Sequence, residues 1–321
     1  MEKSILKLFP IENRAFWMKT AQNQDTIREI RLRAYQPVSV QKCGKEYFLR
    51  GDGSFSENIF EAARSTPKEL ESLLRHICRD SVYAYEEELR QGYITVDGGH
   101  RVGIAGQAVQ EADGAVRTLK NISFLNIRVA HEIKGAADCI LEEMYWEGRL
   151  RSTLIISPPG FGKTTLLRDL IRRISDGNRY GRGMTVGVVD ERSELAGCFL
   201  GVPQLDVGMR TDVMDSCPKV YGMMMLLRSM SPEVLAIDEL GSMEEFECLK
   251  SASACGCKIL ATVHGESLKD VERRFGVGTE IWGQLFDRCL LLERRPDGKA
   301  VHAVDLELTE KKTPIKGKRD V

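Results

Sequence analysis

The sequence predicts two folded parts, a small α+β domain followed by an α/β domain built on a mostly parallel sheet, and three observations carry that expectation. From residue 153 onward, short apolar segments alternate with helical ones, the pattern of strands buried on both faces and joined by crossover helices. The first of those segments runs into a glycine-rich turn, Ser157-Pro158-Pro159-Gly160-Phe161-Gly162-Lys163-Thr164, that opens a helix. Before residue 150 the chain reads differently, with an amphipathic helix, a hairpin and a further strand.

At 321 residues the chain is long for one domain. A hydrophobic fraction of 42% with 29% charged residues is that of an ordinary globular protein. Lys plus Arg against Asp plus Glu stands at 21 to 22 for residues 1–150 and 25 to 25 for the remainder, so neither half is the basic body expected of a nucleic-acid binder. No run approaches the ~18 apolar residues that cross a bilayer. Pro10 and Glu12 interrupt the N-terminus before an apolar core of signal-peptide length develops. The expected location is therefore cytoplasmic, without direct membrane insertion. Nine cysteines are scattered, and the one close pair, Cys255-Gly-Cys257, has no second pair at zinc-site spacing. They read as small buried hydrophobes kept reduced.

Taken in order, the elements begin with Thr66-Pro67-Lys68-Glu69, a helix start with Thr as N-cap, Pro at the first helical position and Glu closing a capping box. Leu70, Leu73, Leu74 and Ile77 follow at helical spacing to about Arg79. Residues 93–96, the turn Asp97-Gly98-Gly99 and residues 101–105 form a hairpin, and another strand spans 122–130. A helix near 136–146 leads out of this domain, whose expected extent is 1–147. The second domain, 148–308, has strands at 153–157, 185–190, 234–238 and 258–264 and helices at 164–174, 219–230, 242–254 and 268–275. It closes with strands at 288–293 and 300–306 around the turn Arg295-Pro296-Asp297-Gly298, an antiparallel hairpin extending the sheet. Residues 309–321 are lysine-rich without apolar periodicity, the composition of a disordered tail.

The turn at 157–164 fits the phosphate-binding P-loop except at its first position, where Ser157 stands for glycine. Gly160 and Gly162 let successive N–H groups turn inward around phosphate oxygens, and the following helix, opening at Thr164-Thr165, aims its positive end at the same group. Lys163 reaches the β- and γ-phosphates and the Thr164 hydroxyl ligates Mg2+; the expected substrate is ATP. Val234-Leu235-Ala236-Ile237-Asp238-Glu239 supplies the second element: a buried strand delivers Asp238 to its carboxyl end, where it holds the metal shell, and Glu239 as general base toward the attacking water. This is a P-loop NTPase core of RecA-like type. Two further strand ends add polar groups. Asp190, Glu191 and Glu194 lie at one, where a solvated loop is the alternative reading. Ala261-Thr262-Val263-His264 forms the other, with His264 suited to sensing the γ-phosphate or relaying a domain movement, a structural histidine being the alternative.

The stretch from Asp206 to Lys219, running on to Arg228-Ser229-Met230-Ser231-Pro232, resembles the stage III sporulation protein AA family of endospore-forming bacteria, as do 27–40, 99–106 and 126–132. That family in turn is similar to the ATPases of type II and type IV secretion and pilus systems. The resemblance implies a hexamer with an acidic box, into which Glu191 and Glu194 fall, and a histidine box holding Thr262 and His264. It also implies arginines acting on the γ-phosphate from another domain or subunit. Arg101, Arg128, Arg210 and Arg228 are the candidates, against the prevailing reading of any one of them as a surface or ion-paired arginine. Pilus-type ATPases often carry Gly-Glu where this chain has Asp238-Glu239. Implied with the family is a mother-cell ATPase working beneath membrane proteins of a channel between mother cell and forespore. Two other functions compete with the motor. One is a single-stranded nucleic-acid ATPase, opposed by the balanced charge, and the other a nucleotide-gated scaffold, opposed by Glu239.

Overall fold

The computed structural model describes residues 4–81, 85–112, 114–294 and 301–306. The expected turn at 295–298 and the segment 309–321 lie outside the described residues. The chain divides into two compact units, Met1–Glu132 with Ala196–Leu205, and Ile133–Leu195 with Asp206–Val321.

The first unit is an antiparallel sheet carrying helices. Its strands are β1 (Ile27–Arg33), β2 (Ser39–Lys42), β3 (Lys45–Leu49), β4 (Phe55–Ser56), β5 (Tyr93–Val96), β6 (His100–Gln110) and β7 (Val116–Arg128), in the spatial order β4-β3-β2-β1-β7-β6-β5. The helices are α1 (Arg14–Gln22), α2 (Pro67–Ile77) and α3 (Glu86–Gln91). α2 starts as its sequence dictates: the Thr66 hydroxyl accepts the Glu69 N–H while the Glu69 carboxylate accepts the Thr66 N–H, with Pro67 at the first helical position. Its Leu70, Leu73, Leu74 and Ile77 are buried in one core with Ile30, Val40, Ile94 and Ile127 from the sheet. The hairpin at β5 and β6 is present in the register Tyr93↔Gly103 to Val96↔His100.

The segment 196–205 joins this unit although its flanking residues belong to the other. Gln204 Oε1 accepts the Gly98 N–H at 3.0 Å, and the Arg79 guanidinium lies 4.8 Å over the Phe199 ring. No local pattern in the sequence announces such an excursion.

The second unit holds the parallel sheet. A short hairpin, β8 (Tyr145–Trp146) and β9 (Arg149–Leu150), precedes β10 (Thr153–Ser157), β11 (Val186–Asp190), β12 (Thr211–Asp215), β13 (Val234–Ile237), β14 (Lys258–His264), β15 (Arg288–Arg294) and β16 (Val301–Leu306). The order β12-β11-β13-β14-β10-β15-β16 is parallel up to β15, and β16 pairs antiparallel to it, as the closing hairpin requires. The helices are α4 (Lys163–Asp176), α5 (Lys219–Ser229), α6 (Met243–Ala254), α7 (Leu268–Phe275) and α8 (Thr279–Leu285). β10, β11 and β13 are buried at every position, the mark of strands covered on both faces. Beneath them Trp282 packs edge-on to Phe246 and Phe275 and stacks on Phe286.

The helix expected near 136–146 does not form. The segment is a run of turns closed by three-residue bonds (Ile140 N–H to Ala137, Glu143 to Ile140, Met144 to Leu141) and ends in β8. Asp169 of α4 captures the Ala137 N–H at 2.9 Å, and Arg173 pairs with Asp138, so the segment is shaped by α4 rather than by its own periodicity. These contacts place 133–147 in the second unit. Of the cysteines, Cys78, Cys198, Cys248, Cys257 and Cys289 are buried.

His100 in the first unit yields a pH test. The Ala130 N–H donates to its Nδ1 at 3.0 Å, so the proton of the neutral ring sits on Nε2, 2.9 Å from Ser4 Oγ. Burial pushes its pKa down from the usual 6.5 to about 4, with His131 adding to the shift and Asp97 opposing it. As pH falls from 6.5 toward about 4, the unfolded chain takes up a proton that the folded chain does not, so stability is lost across that window. Denaturant titrations at pH 7 and pH 5 should show that loss shrinking by on the order of 2 kcal/mol in His100→Gln. An unaltered difference between the two pH values would refute the buried neutral ring.

Candidate active site

The site is assembled at the carboxyl edge of the parallel sheet. Strand order decides which groups meet: β14 lies between β10 and β13, with Ser157 opposite His264 and Ile237 opposite Ala261. The glycine-rich turn leaving β10, the acidic pair leaving β13 and the polar end of β14 therefore emerge side by side.

Within the turn, Gly160 and Gly162 both have φ of +78°, and a Cβ at either would meet nothing within 4 Å. Glycine is required there by backbone conformation rather than by space. Ser157 has no left-handed φ, so its position makes no demand for glycine, and its buried hydroxyl donates to the Pro158 carbonyl at 2.9 Å. Pro158 and Phe161 are half-buried, while Pro159 and Gly160 are exposed. Gly162 is the N-cap of α4, with no side-chain cap and no acidic residue in the first turn. Thr164 and Thr165 lie in that turn. The positive end of a 14-residue helix is thus left to an anion, as phosphate binding requires.

Lys163 is the centre of the polar network. Its Nζ lies 2.5 Å from Glu239 Oε1 and 2.6 Å from His264 Nε2, with the side chain 9% exposed. His264 Nε2 is also 2.9 Å from the same Glu239 oxygen, while its buried Nδ1 has no partner. Partial burial pushes the Glu239 carboxyl up, but the neighbouring Lys163 ammonium, helped by His264, outweighs it and holds the group below the usual carboxylate range. Glu239 is ionised at neutral pH. Its second oxygen faces the exposed Arg192 at 3.4 Å.

The metal-binding expectation meets a suitable donor set. The Thr164 hydroxyl donates to Asp238 Oδ2 at 2.7 Å, and Thr262 Oγ1 donates to the other oxygen of Asp238. Among the described residues no group of three or more His, Cys, Asp or Glu is placed to hold a metal ion by itself. One hydroxyl and one carboxylate fit Mg2+, which takes few protein ligands and fills its shell with phosphate oxygens and water. Thr262 does double duty, since its Oγ1 also accepts the Glu239 N–H at 2.9 Å.

The remaining candidates are distributed unevenly. Glu191 is exposed, its carboxylate 3.7 Å from Lys219 Nζ rather than on the turn. Glu194 shapes the loop through its backbone, its N–H donating to Asp190 and its carbonyl accepting from Arg168. Arg101 and Arg128 are cross-strand neighbours of β6 and β7 in the first unit, and Arg101 stacks on Tyr93 at 3.4 Å. The Arg210 Nη1 donates to the Ser175 carbonyl, at the end of α4 remote from Lys163. Arg228 is exposed in the last turn of α5.

Lys219 escaped the reading of the sequence. A signal for it exists: it is a lysine in the first turn of a helix that has no acidic residue there, against the helix dipole. Its neighbours Glu191, Glu245 and Glu239 come from three separate segments, so local spacing could not link them to it.

The family described as "Sporulation stage III, protein AA" matches residues 1–309. The Stage III sporulation protein AA of Bacillus subtilis (strain 168) is 41% identical over 269 residues, covering 84% of this chain and 83% of that one. Protein SEEDLING PLASTID DEVELOPMENT 1 of Arabidopsis thaliana is 29% identical over 160 residues, which is 49% of this chain and 22% of its own length. Among solved structures, the Legionella pneumophila ATPase DotB superposes with a TM-score of 0.57 at 16% identity over 94% of this chain and 82% of that one. The pilus retraction motor PilT, solved with bound ADP, gives 0.60 at 12% identity over 90% and 81%. At such identities the likeness establishes the fold, that of P-loop secretion ATPases.

The double use of Thr262 can be tested. Thr262→Val keeps the shape of this fully buried side chain but strips Asp238 of a donor and leaves the Glu239 N–H without an acceptor. Denaturant unfolding should register a loss of about 1–3 kcal/mol. Wild-type stability in the valine variant would contradict the shared hydroxyl.

Proposed function

We propose that this chain, which belongs to the Sporulation stage III, protein AA family, is a Mg2+-dependent ATPase motor that energises a membrane-spanning channel complex between mother cell and forespore. The observation carrying the proposal is the convergence of Lys163, Thr164, Asp238, Glu239, Thr262 and His264 on the end of an uncapped helix behind a left-handed glycine turn.

The chemistry follows from that arrangement. A triphosphate on the backbone of 158–164 presents several negative charges to Lys163, more than the single carboxylate it faces in the free protein. Lys163 transfers to the β- and γ-phosphates and Glu239 is released. Asp238 and Thr164 hold Mg2+, which neutralises charge on the phosphates when bound. Glu239 then accepts a proton from the water that attacks the γ-phosphorus, and ADP leaves. His264, whose Nε2 lies within hydrogen-bonding distance of Lys163 and of Glu239, reports the exchange along β14. A ring of copies, most simply a hexamer, gives Arg101, Arg128 and Arg228 a route to a neighbouring nucleotide. Membrane proteins of the channel are the partners, and the mother-cell side of the membrane is the location. No helix among the described residues is long and apolar enough to cross a membrane, in keeping with a peripheral motor.

Glu239→Gln should retain ATP binding, measured by calorimetry with Mg2+, while turnover falls ~10²–10⁴-fold. Lys163→Ala should lose binding. A glutamine variant turning over at the wild-type rate removes the general base. Sporulation that proceeds normally with Glu239→Gln but fails with Lys163→Ala would favour a nucleotide-gated scaffold over a motor.

A further inference from the structure

Glu239 is bent into a conformation that its residue type disfavours, and this points to a residue that holds it there. Its φ is +57°, in the left-handed region, where side chains other than glycine are strained by about 1–2 kcal/mol. The bend directly follows β13, turning the chain so that the Glu239 carboxylate faces Lys163 and His264. Such a conformation persists only where the surroundings over-determine it.

They do so from four elements. The Glu239 N–H is taken by Thr262 Oγ1 and the Leu240 N–H by the Thr262 carbonyl, both from β14. Arg274 of α7 donates to the Leu240 carbonyl, and Glu245 of α6 accepts the Gly241 N–H. The Glu239 carbonyl is taken by Lys219 Nζ of α5, at 2.5 Å. Of these anchors Lys219 grips the strained residue itself with a full charge.

Lys219 has no local reason to be where it is. It opens α5, where the helix dipole repels a cation, and only 11% of its side chain is exposed, so its ammonium is largely stripped of water. Its carboxylate neighbours, Glu245 at 3.6 Å and Glu191 at 3.7 Å, offset the charge from farther away than the carbonyl. A residue that violates its local environment in this way is explained by the contact it makes at the site. We infer that Lys219 is a positioning residue, clamping the Glu239 carbonyl so that the left-handed bend holds the general base aimed at the nucleotide. It touches neither substrate nor metal in this role. Glu191 acts through the same clamp, steadying the Lys219 ammonium rather than meeting the nucleotide.

The inference rests on Glu239 being the base, so the test keeps the two claims apart. ATPase rates and ATP affinities are measured for the wild type, Glu239→Gln, Lys219→Met and Lys219→Arg. With Lys219→Met, kcat should fall ~10–10²-fold, as for a misplaced catalytic group, while KM stays within about twofold. Lys219→Arg, which keeps a charged donor, should restore most of the rate. An unchanged kcat in Lys219→Met, with Glu239→Gln inactive, overturns the clamp and leaves the ATPase intact. So does a parallel loss of kcat, ATP affinity and thermal stability that arginine does not rescue. Should Lys219→Met fail to fold, Lys219→Leu, which likewise carries no donor, takes its place. A crystal structure of the variant decides the matter even without turnover: Glu239 should leave the left-handed region, and retention of φ near +57° refutes the clamp.

Discussion

The ion pair between Lys163 and Glu239, closed by His264, is the contact around which the second unit is organised. A lysine only 9% exposed has lost most of its hydration, and the carboxylate that compensates it is the group with the clearest chemical task. The pair exists because of strand order. With β14 inserted between β10 and β13, the lysine at the start of α4 and the glutamate beyond β13 both reach the imidazole at the end of β14. A parallel sheet buried on both faces leaves its polar residues one place to emerge, the edge where its strands end.

Around that pair the local rules of structure are broken in a concentrated way. Glu239 adopts a glycine-like backbone, Lys219 sits at the wrong end of a helix, and α4 begins without a cap. Elsewhere the same unit obeys those rules: α6 and α7 begin with capping serines, Ser242 and Ser267, and Trp282 is enclosed by three phenylalanines. The stability drawn from the conventional regions is what allows strain at the edge to persist.

The first unit is conventional in another sense. Its antiparallel sheet and capped α2 share one core, His100 is buried and neutral, and the segment 196–205 belongs to the same unit. Two of the candidate arginines, Arg101 and Arg128, are neighbours on its sheet. The likeness in fold to DotB and PilT extends over 94% and 90% of the chain.

Much of this was legible in the sequence because the information is local. The turn at 157–164 declares itself through glycines that need a positive φ, the acidic pair by ending an apolar run, and α2 by a capping box within four residues. The order of the strands is not local, and with it comes everything that depends on who stands beside whom. It decides that Thr262 serves Asp238 and Glu239 together, that Lys219 grips the peptide of a residue twenty positions later, and that Glu191 lies against that lysine. The same limit explains the helix expected near 136–146, where Asp169, some thirty residues onward, captured a backbone N–H and imposed turns. Residue type and spacing determined which chemistry this chain can perform. Long-range backbone pairing, which no short window of sequence contains, decided how the groups that perform it are held.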